Sequence, residues 1–171
     1  MASIDLRGRG VRLRTTVESD RAALVAIRST PEVWQRWGGD DLDEAFTEDL
    51  AEAGVERLAI EDQSDRVIGL IQFHESDDPQ YRYAGLDLYV DPAVHRRGHG
   101  LDAVTTLVRY LIDQRGHHRL VIDPSVDNLA AIACYTKAGF RAVGVMRQYE
   151  LQADGTWADG LLMELIAGDV D

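Results

Sequence analysis

The residues best suited to chemistry lie on one predicted helix, between positions 128 and 140. An amide, a phenol and an ammonium group stand there as Asn128, Tyr135 and Lys137. An apolar stripe at helical spacing accompanies them, formed by Leu129, Ile132 and Cys134. Gly139 supplies a left-handed stop, after which Phe140 is expected to return to the core. The same spacing is typical of any amphipathic helix with a glycine cap, so this helix indicates a function only in combination with a second motif.

That second motif is a glycine-rich turn at residues 95–100. Alternating apolar residues over positions 84–90 predict a strand before it, and a helical apolar repeat begins at Leu101. Such a turn binds anions, because glycines let backbone N–H groups approach a phosphate and the helix N-terminus adds partial positive charge. Arg96 and Arg97 add full charges. The turn has neither the third glycine of the dinucleotide fingerprint nor the Gly-Lys-Ser/Thr of nucleoside triphosphate sites.

Together the two motifs resemble those of the GCN5-related N-acetyltransferase (GNAT) superfamily, over residues 11–165. In that family the turn binds the pyrophosphate of acetyl-CoA, and the resemblance carries this role to His95, Arg96, Arg97, Gly98, His99, Gly100 and Leu101. His95 stands where the family usually has Gln or Arg. The helix motif implies further acetyl-CoA contacts for Asn128, Ala131, Tyr135 and Lys137, with Asn128 at the pantetheine arm and Tyr135 beside the thioester sulfur. The backbone of Leu88 and Val90 is expected to hold the pantetheine.

A narrower resemblance is to the aminoglycoside 6'-N-acetyltransferases. It rests on the Trp34-x-x-Trp37-Gly38-Gly39 segment, on Gly85-Leu86-Asp87 and on the Asp-Pro-Ser-x-x-Asn-Leu pattern at residues 123–129. The resemblance implies that Asp87 acts on the substrate amine and that Asp123 contacts the acceptor. Trp37 is a candidate to line the substrate pocket because a sugar face stacks well on an indole, the alternative being that it belongs to the core. The acceptor would then be the 6'-amine of an aminoglycoside antibiotic, and the activity would confer resistance.

Charge supports a cationic acceptor independently. Lys and Arg number 18 against 30 Asp and Glu, a formal net charge of -12. Such acidity argues against nucleic acid or an anionic membrane as a partner and favours a cationic small molecule. The carboxylates cluster after the tryptophans and again before Tyr81, where Glu75 is predicted to join the substrate site. Solvated surface explains these clusters about as well as a substrate funnel does.

Composition predicts one domain over residues 1–171, which the resemblance implies is an acetyltransferase domain, and we expect it to be a monomer or a homodimer. The chain is 45% hydrophobic and has no Pro/Gly/Ser-rich linker. No membrane-spanning run or secretory signal is visible, so the chain is expected to be cytoplasmic. Its single cysteine, Cys134, reads as a packing residue, and no His/Cys/carboxylate spacing indicates a metal site. His117 and His118 are expected to be exposed.

The order of predicted elements indicates an α/β (α+β) fold. Helices are predicted at residues 18–29, 43–52, from 101 and from 128, and strands at 11–14, 57–61, 67–75, 84–90, 120–123, 140–149 and 161–166. The last two strands are joined through residues 153–156. The expected architecture is the GNAT fold, a central mixed and mostly antiparallel twisted sheet with helices on both faces.

Three functions remain open on the sequence. The first is aminoglycoside 6'-N-acetylation by direct transfer in a ternary complex, with Asp87 taking the proton of the amine and Tyr135 serving the departing thiolate. The second is acetylation of a polyamine, another small amine or a protein N-terminus. The third is a CoA-binding module without catalysis, which the presence of both Asp87 and Tyr135 disfavours.

Overall fold

An eight-stranded sheet forms the centre of the protein. The computed structural model describes residues 3–152 and 154–169. The strands are β1 (Asp5–Arg7), β2 (Arg12–Thr15), β3 (Val55–Glu61), β4 (Val67–Ser76), β5 (Tyr83–Val90), β6 (Arg119–Ile122), β7 (Arg141–Leu151) and β8 (Trp157–Ile166). The helices are α1 (Arg21–Arg28), α2 (Pro31–Trp37), α3 (Leu42–Ala51), α4 (His99–Asp113) and α5 (Leu129–Lys137), and short 3-10 turns occupy Glu18–Asp20, Pro92–Val94 and Ala167–Asp169.

The strand order is β1-β2-β3-β4-β5-β6-β8-β7. Neighbouring strands are antiparallel except for β5 and β6, which are parallel. The parallel pair follows from the connection through α4, since parallel neighbours need a crossover. The predicted mixed, mostly antiparallel sheet is therefore confirmed.

The parallel pair of β5 and β6 is short, so these two central strands separate beyond it. Strand β5 pairs with β6 only at Ala84 with Leu120 and at Gly85 with Val121. Beyond Gly85 the residues of β5 pair with β4 alone. A groove therefore separates the C-terminal end of β5 from the C-terminal end of β6.

Side-chain alternation along β5 assigns its residues to two different faces. Leu86 joins the larger apolar core, which α4 and α5 cover. Tyr89 joins a smaller core on the opposite face, with side chains from α1, α2 and α3. Asp87 shares the face of Tyr89, because residues two apart on a strand point the same way. Helices thus cover both faces, as predicted.

Several local expectations need correction. Strand β1 and helix α2 were not expected, since three residues and seven residues give too little pattern. The expected stripe on α5 is incomplete because Leu129 is 72% exposed. The left-handed stop at Gly139, with a φ of 105°, and the burial of Phe140 agree with the expectation. Ala153, in the expected turn, lies outside the described residues. Among the residues that are described, no helix is long and apolar enough to cross a bilayer.

Candidate active site

The glycine-rich turn forms a backbone cradle at the start of α4. Two of its residues adopt left-handed conformations, Arg96 with a φ of 62° and Gly98 with a φ of 85°. Left-handed residues within a turn gather successive N–H groups into an anion-binding concavity. The first amides of α4, beginning at His99, add to it because they have no acceptor within the helix. The side chains of Arg96 and Arg97 are exposed beside the turn.

The cradle is held in place from two sides. The carboxylate of Asp102, in the first turn of α4, accepts N–H groups from Arg9, Gly10 and Val11 at 3.0, 2.6 and 3.0 Å. At the other end the His95 ring donates from Nε2 to the carbonyl of Val90 at 2.9 Å, since a carbonyl only accepts. His95 thus fastens the turn to the end of β5 and does not extend toward a ligand.

Space above the cradle is consistent with a phosphate. A Cβ placed on Gly98 meets no atom within 4 Å, and one on Gly100 meets only Val90 and Cys134, at 3.9 and 4.0 Å. The protein itself therefore leaves room at Gly100 for a side chain. Because the fold does not require glycine at position 100, that residue fits the role of letting a ligand approach the backbone.

Helix α5 brings its polar residues to the groove between β5 and β6. Asn128 is the N-cap of α5, and its Oδ1 accepts the N–H of Ala131 at 3.3 Å. The cap leaves the side-chain amide nitrogen of Asn128 for another partner. Ala131 packs against the large core, and Lys137 lies exposed in the last turn. A Cβ at Gly100 would lie 4.0 Å from Sγ of Cys134, so the cradle and α5 adjoin each other.

Tyr135 is the buried member of this set, only 5% exposed. Its ring lies edge-on to Phe140, with centroids 6.4 Å apart. Burial raises the pKa of Tyr135 well above its usual value of 10.0, and the negative charge of nearby Asp87 acts in the same direction. The phenol therefore keeps its proton at neutral pH and is available as a donor.

Asp87 is the most perturbed carboxyl group of the site. Its Oδ1 accepts the N–H of Leu88 at 2.8 Å. The side chain is open to solvent, but the surrounding protein displaces much of its hydration, and this desolvation raises the pKa of Asp87 to about 7. The negative charges of Asp123 and Glu150 act in the same direction, and the Leu88 hydrogen bond opposes them. A carboxyl group with such a pKa exchanges protons near neutral pH.

Asp123 follows β6 and lies close enough to Asp87 for its charge to act on that group. The hydroxyl of Tyr149 donates to Asp123 Oδ2 at 2.6 Å. Glu150, next to Tyr149 on β7, completes an acidic cluster with Asp87 and Asp123. Its three residues come from β5, from β7 and from the end of β6, so the cluster forms only when these separate parts of the chain pack together.

Helix α2 forms one wall on the Asp87 face of the sheet. The Trp37 ring packs edge-on against Tyr89, with centroids 4.9 Å apart. Its neighbour Arg36 forms a 2.6 Å ion pair with Asp127, in the loop before α5. The Arg36 guanidinium lowers the pKa of Asp127. Trp37 thus lies on the same face of the sheet as Asp87, while the Asp127 carboxylate is engaged by Arg36.

Glu75 lies apart from this cluster. It pairs with Ala84 on β5, and alternation places both on the face opposite Asp87. Its carboxylate binds Arg115 at 2.5 Å and His117 at 2.6 Å. His117 is only 1% exposed, so the expectation that it is exposed was wrong. The geometry gives Glu75 a role in anchoring the end of α4 and does not bring it to the acceptor side.

Comparison with known proteins identifies the family. A family model described as an acetyltransferase (GNAT) domain matches residues 11–141, well over half of the chain. The chain belongs to the GNAT acetyltransferase family. It is thus an enzyme that transfers acetyl groups from acetyl-CoA. The family match does not identify the acceptor that receives the acetyl group.

Solved structures share the acetyltransferase fold over nearly the whole chain. A GNAT acetyltransferase from Bacillus anthracis has a TM-score of 0.84 at 14% identity, covering 95% of this chain and 98% of its own. Spermidine N-acetyltransferase from Vibrio cholerae, solved with CoA and spermine, has a TM-score of 0.80 at 17% identity, covering 94% and 97%. The ribosomal L7/L12 α-N-protein acetyltransferase RimL, in complex with coenzyme A, has a TM-score of 0.82 at 20% identity, covering 95% and 98%.

One member of the acidic cluster, Glu150, was missed from the sequence of this acetyltransferase, as was Tyr149, the hydrogen-bond partner of another member. Tyr149 and Glu150 follow no motif, and Tyr149 reaches Asp123 only because β8 and β7 continue the sheet beyond β6. The apolar pattern predicts a strand over residues 140–149 but not which strands lie beside it. Across the described ranges no group of three or more His, Cys, Asp or Glu side chains is arranged to hold a metal ion.

Proposed function

We propose that this acetyltransferase acetylates a primary amine of a polycationic small molecule, the 6'-amine of aminoglycosides being the first candidate. The observation that carries the proposal is the acidic cluster beside the groove, in which Asp87 has its pKa raised to about 7 next to Asp123 and Glu150. Such a cluster attracts ammonium groups and includes one carboxyl group able to take up a proton at neutral pH.

Acetyl-CoA would lie along the groove with its pyrophosphate on the amides from Gly98 to Leu101. Arg96 and Arg97 would supply positive charge there, with His99 beside them, and Asn128, Ala131 and Lys137 would line the path of the pantetheine. Acetyl-CoA supplies the thioester, whose C–S bond breaks as the amine forms a C–N bond with the acetyl carbon. The backbone of Leu88 and Val90 would hold the pantetheine, since β6 does not pair with β5 beyond Gly85.

Two side chains would move the protons. An ammonium group must lose a proton before its nitrogen attacks, and Asp87 would accept that proton directly or through water. Leu88 now donates its N–H to Asp87, so a shift of the carboxylate toward the amine would free this donor for the thioester carbonyl. Tyr135 would give its proton to the sulfur as the C–S bond breaks, so that CoA leaves as a thiol, and the phenolate would then recover a proton from solvent.

Tyr135→Phe should lower kcat roughly ten- to a thousandfold, because a proton donor near the leaving group is lost. The KM for acetyl-CoA should change little, since the ring and its contact with Phe140 remain. Steady-state kinetics of thiol release measure both. Tyr110→Phe on α4 serves as the matched control, because its ring contacts Phe73 away from the cluster. An unchanged kcat in Tyr135→Phe would mean that the phenol has only a packing role.

A panel of acceptors tests the identity of the amine. We expect thiol release with tobramycin or kanamycin A, and at least about a hundredfold lower kcat/KM with an aminoglycoside that carries a hydroxyl group at the 6' position, because the reacting nitrogen is then absent. The assay follows free thiol and checks the product by mass spectrometry. Equal turnover of both sugars would contradict 6'-acetylation.

The fold neighbours supply the alternatives for the same panel. One is named for spermidine and the other for a ribosomal protein α-amine. Spermidine and a peptide with a free N-terminus therefore belong in the panel. Turnover of either one without turnover of any aminoglycoside would replace the aminoglycoside candidate and leave amine acetylation in place.

A further inference from the structure

The end of β7 contains a bulge that redirects its side chains. Met146 pairs with Gly160 and Glu150 pairs with Ala158, so three residues of β7 stand opposite Asp159 alone. Gln148, within the bulge, has a φ of 49°, unusual for a residue with a side chain. Its N–H donates to Asp159 Oδ1 at 2.7 Å. Bulges of this kind re-aim side chains, and they are common beside active sites.

The residue that follows Gln148 in the bulge is Tyr149. Its ring lies against Gly160, where an added Cβ would come within 2.9 Å of the ring carbon Cδ1. Gly160 is thus the residue type that permits this ring position. The Tyr149 hydroxyl, held in this way, donates to Asp123 Oδ2 at 2.6 Å.

Stability does not explain the arrangement. Tyr149 is 49% exposed and lies on the edge strand of the sheet, so its ring contributes little to either core. The contact with Asp123 is nevertheless short, as expected for a hydroxyl that donates to a carboxylate. A strained bulge, a required glycine and a charge-assisted hydrogen bond thus converge on one exposed phenol at the acidic cluster.

We propose that Tyr149 is a positioning residue that determines acceptor specificity, by orienting the Asp123 carboxylate toward a second ammonium group of the acceptor. The inference rests on the proposed amine acetylation and deepens it. Tyr149 occupies Oδ2, which leaves Oδ1 of Asp123 for the ammonium group. Asp87 accepts the proton of the reacting amine, so the two aspartates bind different nitrogens of one polycation. Tyr83, Tyr135 and Glu150 are the other titratable groups that act on this cluster.

The test is Tyr149→Phe, assayed with a polycation and with a monoamine that carries the same reacting group. Tobramycin and methyl 6-amino-6-deoxyglucoside form one such pair, and spermidine and butylamine form another. For the polycation we expect KM to rise about ten- to a hundredfold with kcat within about twofold of wild type, the range for a hydrogen bond to a charged group. For the monoamine we expect no change, because it does not use Asp123.

A double-mutant cycle separates positioning from a general structural effect. Asp123→Asn should raise KM for the polycation as Tyr149→Phe does. The KM of the double variant should be little higher than that of Asp123→Asn alone, since Tyr149 acts through Asp123. Gly160→Ala should reproduce the Tyr149→Phe result with the hydroxyl intact, because the added Cβ displaces the ring. Tyr81→Phe is the matched control, as Tyr81 is 73% exposed in the loop between β4 and β5.

The outcomes distinguish this inference from the proposed function. A wild-type KM for the polycation in Tyr149→Phe, an equal loss with the monoamine, or fully additive losses in the cycle would overturn the role of Tyr149. Absence of thiol release from wild type with every amine would instead overturn the proposed function. Calorimetry of tobramycin and spermidine with the CoA-loaded protein then tests Tyr149 without turnover, and equal affinity in wild type and Tyr149→Phe would overturn its role.

Discussion

Asp87→Asn should lower kcat about a hundred- to ten-thousandfold, the usual range for removing a general base. Asparagine keeps the size of the side chain and an oxygen for the Leu88 N–H, but it does not accept a proton from the acceptor amine. Steady-state thiol release measures the loss. Asp113→Asn, at the exposed end of α4, is the matched control and should retain wild-type activity. Wild-type kcat in Asp87→Asn would remove Asp87 from the mechanism.

The pH profile provides a second measurement of the same prediction. Because the base must be ionised and the pKa of Asp87 is about 7, kcat/KM should rise with pH through an inflection near that value. Asp87→Asn should lack this inflection. A profile in which wild type and Asp87→Asn share the inflection would assign it to another group.

Thermal unfolding serves as the folding control for Asp87→Asn. The pKa of Asp87 is raised from 3.8 to about 7, so the folded state holds the proton more tightly than the unfolded state. The stabilisation from this proton is complete below the unfolded pKa and is lost as pH rises through the folded one. The Asn variant should therefore be no less stable than wild type at pH 8, and a lower Tm there would attribute its inactivity to misfolding.

Gly100→Asp should lower acetyl-CoA affinity by at least about a hundredfold. Two like charges about 4 Å apart near a protein surface repel by about 4 kcal/mol, and the new carboxylate would meet the pyrophosphate on the cradle. Folding should survive, because a Cβ at Gly100 makes only ordinary contacts and aspartate is favourable in the first turn of a helix. Calorimetry with acetyl-CoA measures the affinity.

Gly144→Asp is the matched control for the added charge. Gly144 lies on β7, where a Cβ meets no atom within 4 Å, and it should bind acetyl-CoA as wild type does. Unchanged affinity in a folded Gly100→Asp protein would show that the pyrophosphate lies elsewhere. Gly100→Ala distinguishes the two causes, since it adds bulk without charge and should cause a smaller loss.

The cradle and helix α5 could be predicted from the sequence because both are local. The turn at residues 95–100 and the phenol and glycine stop of α5 each lie within a few helical turns, where spacing alone determines which groups share a side. The left-handed stop at Gly139 agrees with the prediction, whereas the left-handed Gly98 and the N-cap at Asn128 are findings of the structure. The role of His95 could not be read in the same way, since its acceptor is a carbonyl at the end of β5.

Contacts between residues far apart in the chain were harder to predict. Glu75 is predicted as a substrate residue because it lies in an acidic run, yet side-chain alternation places it on the face of the sheet opposite to Asp87, where it contacts His117. A sequence shows which residues of one strand share a face, but it does not show which helices will cover that face. The burial of His117 has the same origin, because it depends on the docking of the end of α4 against β4.

The sequence by itself determined the chemistry that was available: a glycine-rich turn before a helix, a second helix bearing a phenol, an aspartate on a central strand and an excess of negative charge. Only the tertiary structure decided which of these groups meet. The divergence of β5 from β6 opens the groove, and the order β6-β8-β7 brings Tyr149 and Glu150 to Asp123. Strand order and register depend on contacts between residues far apart in the chain, which local spacing does not encode.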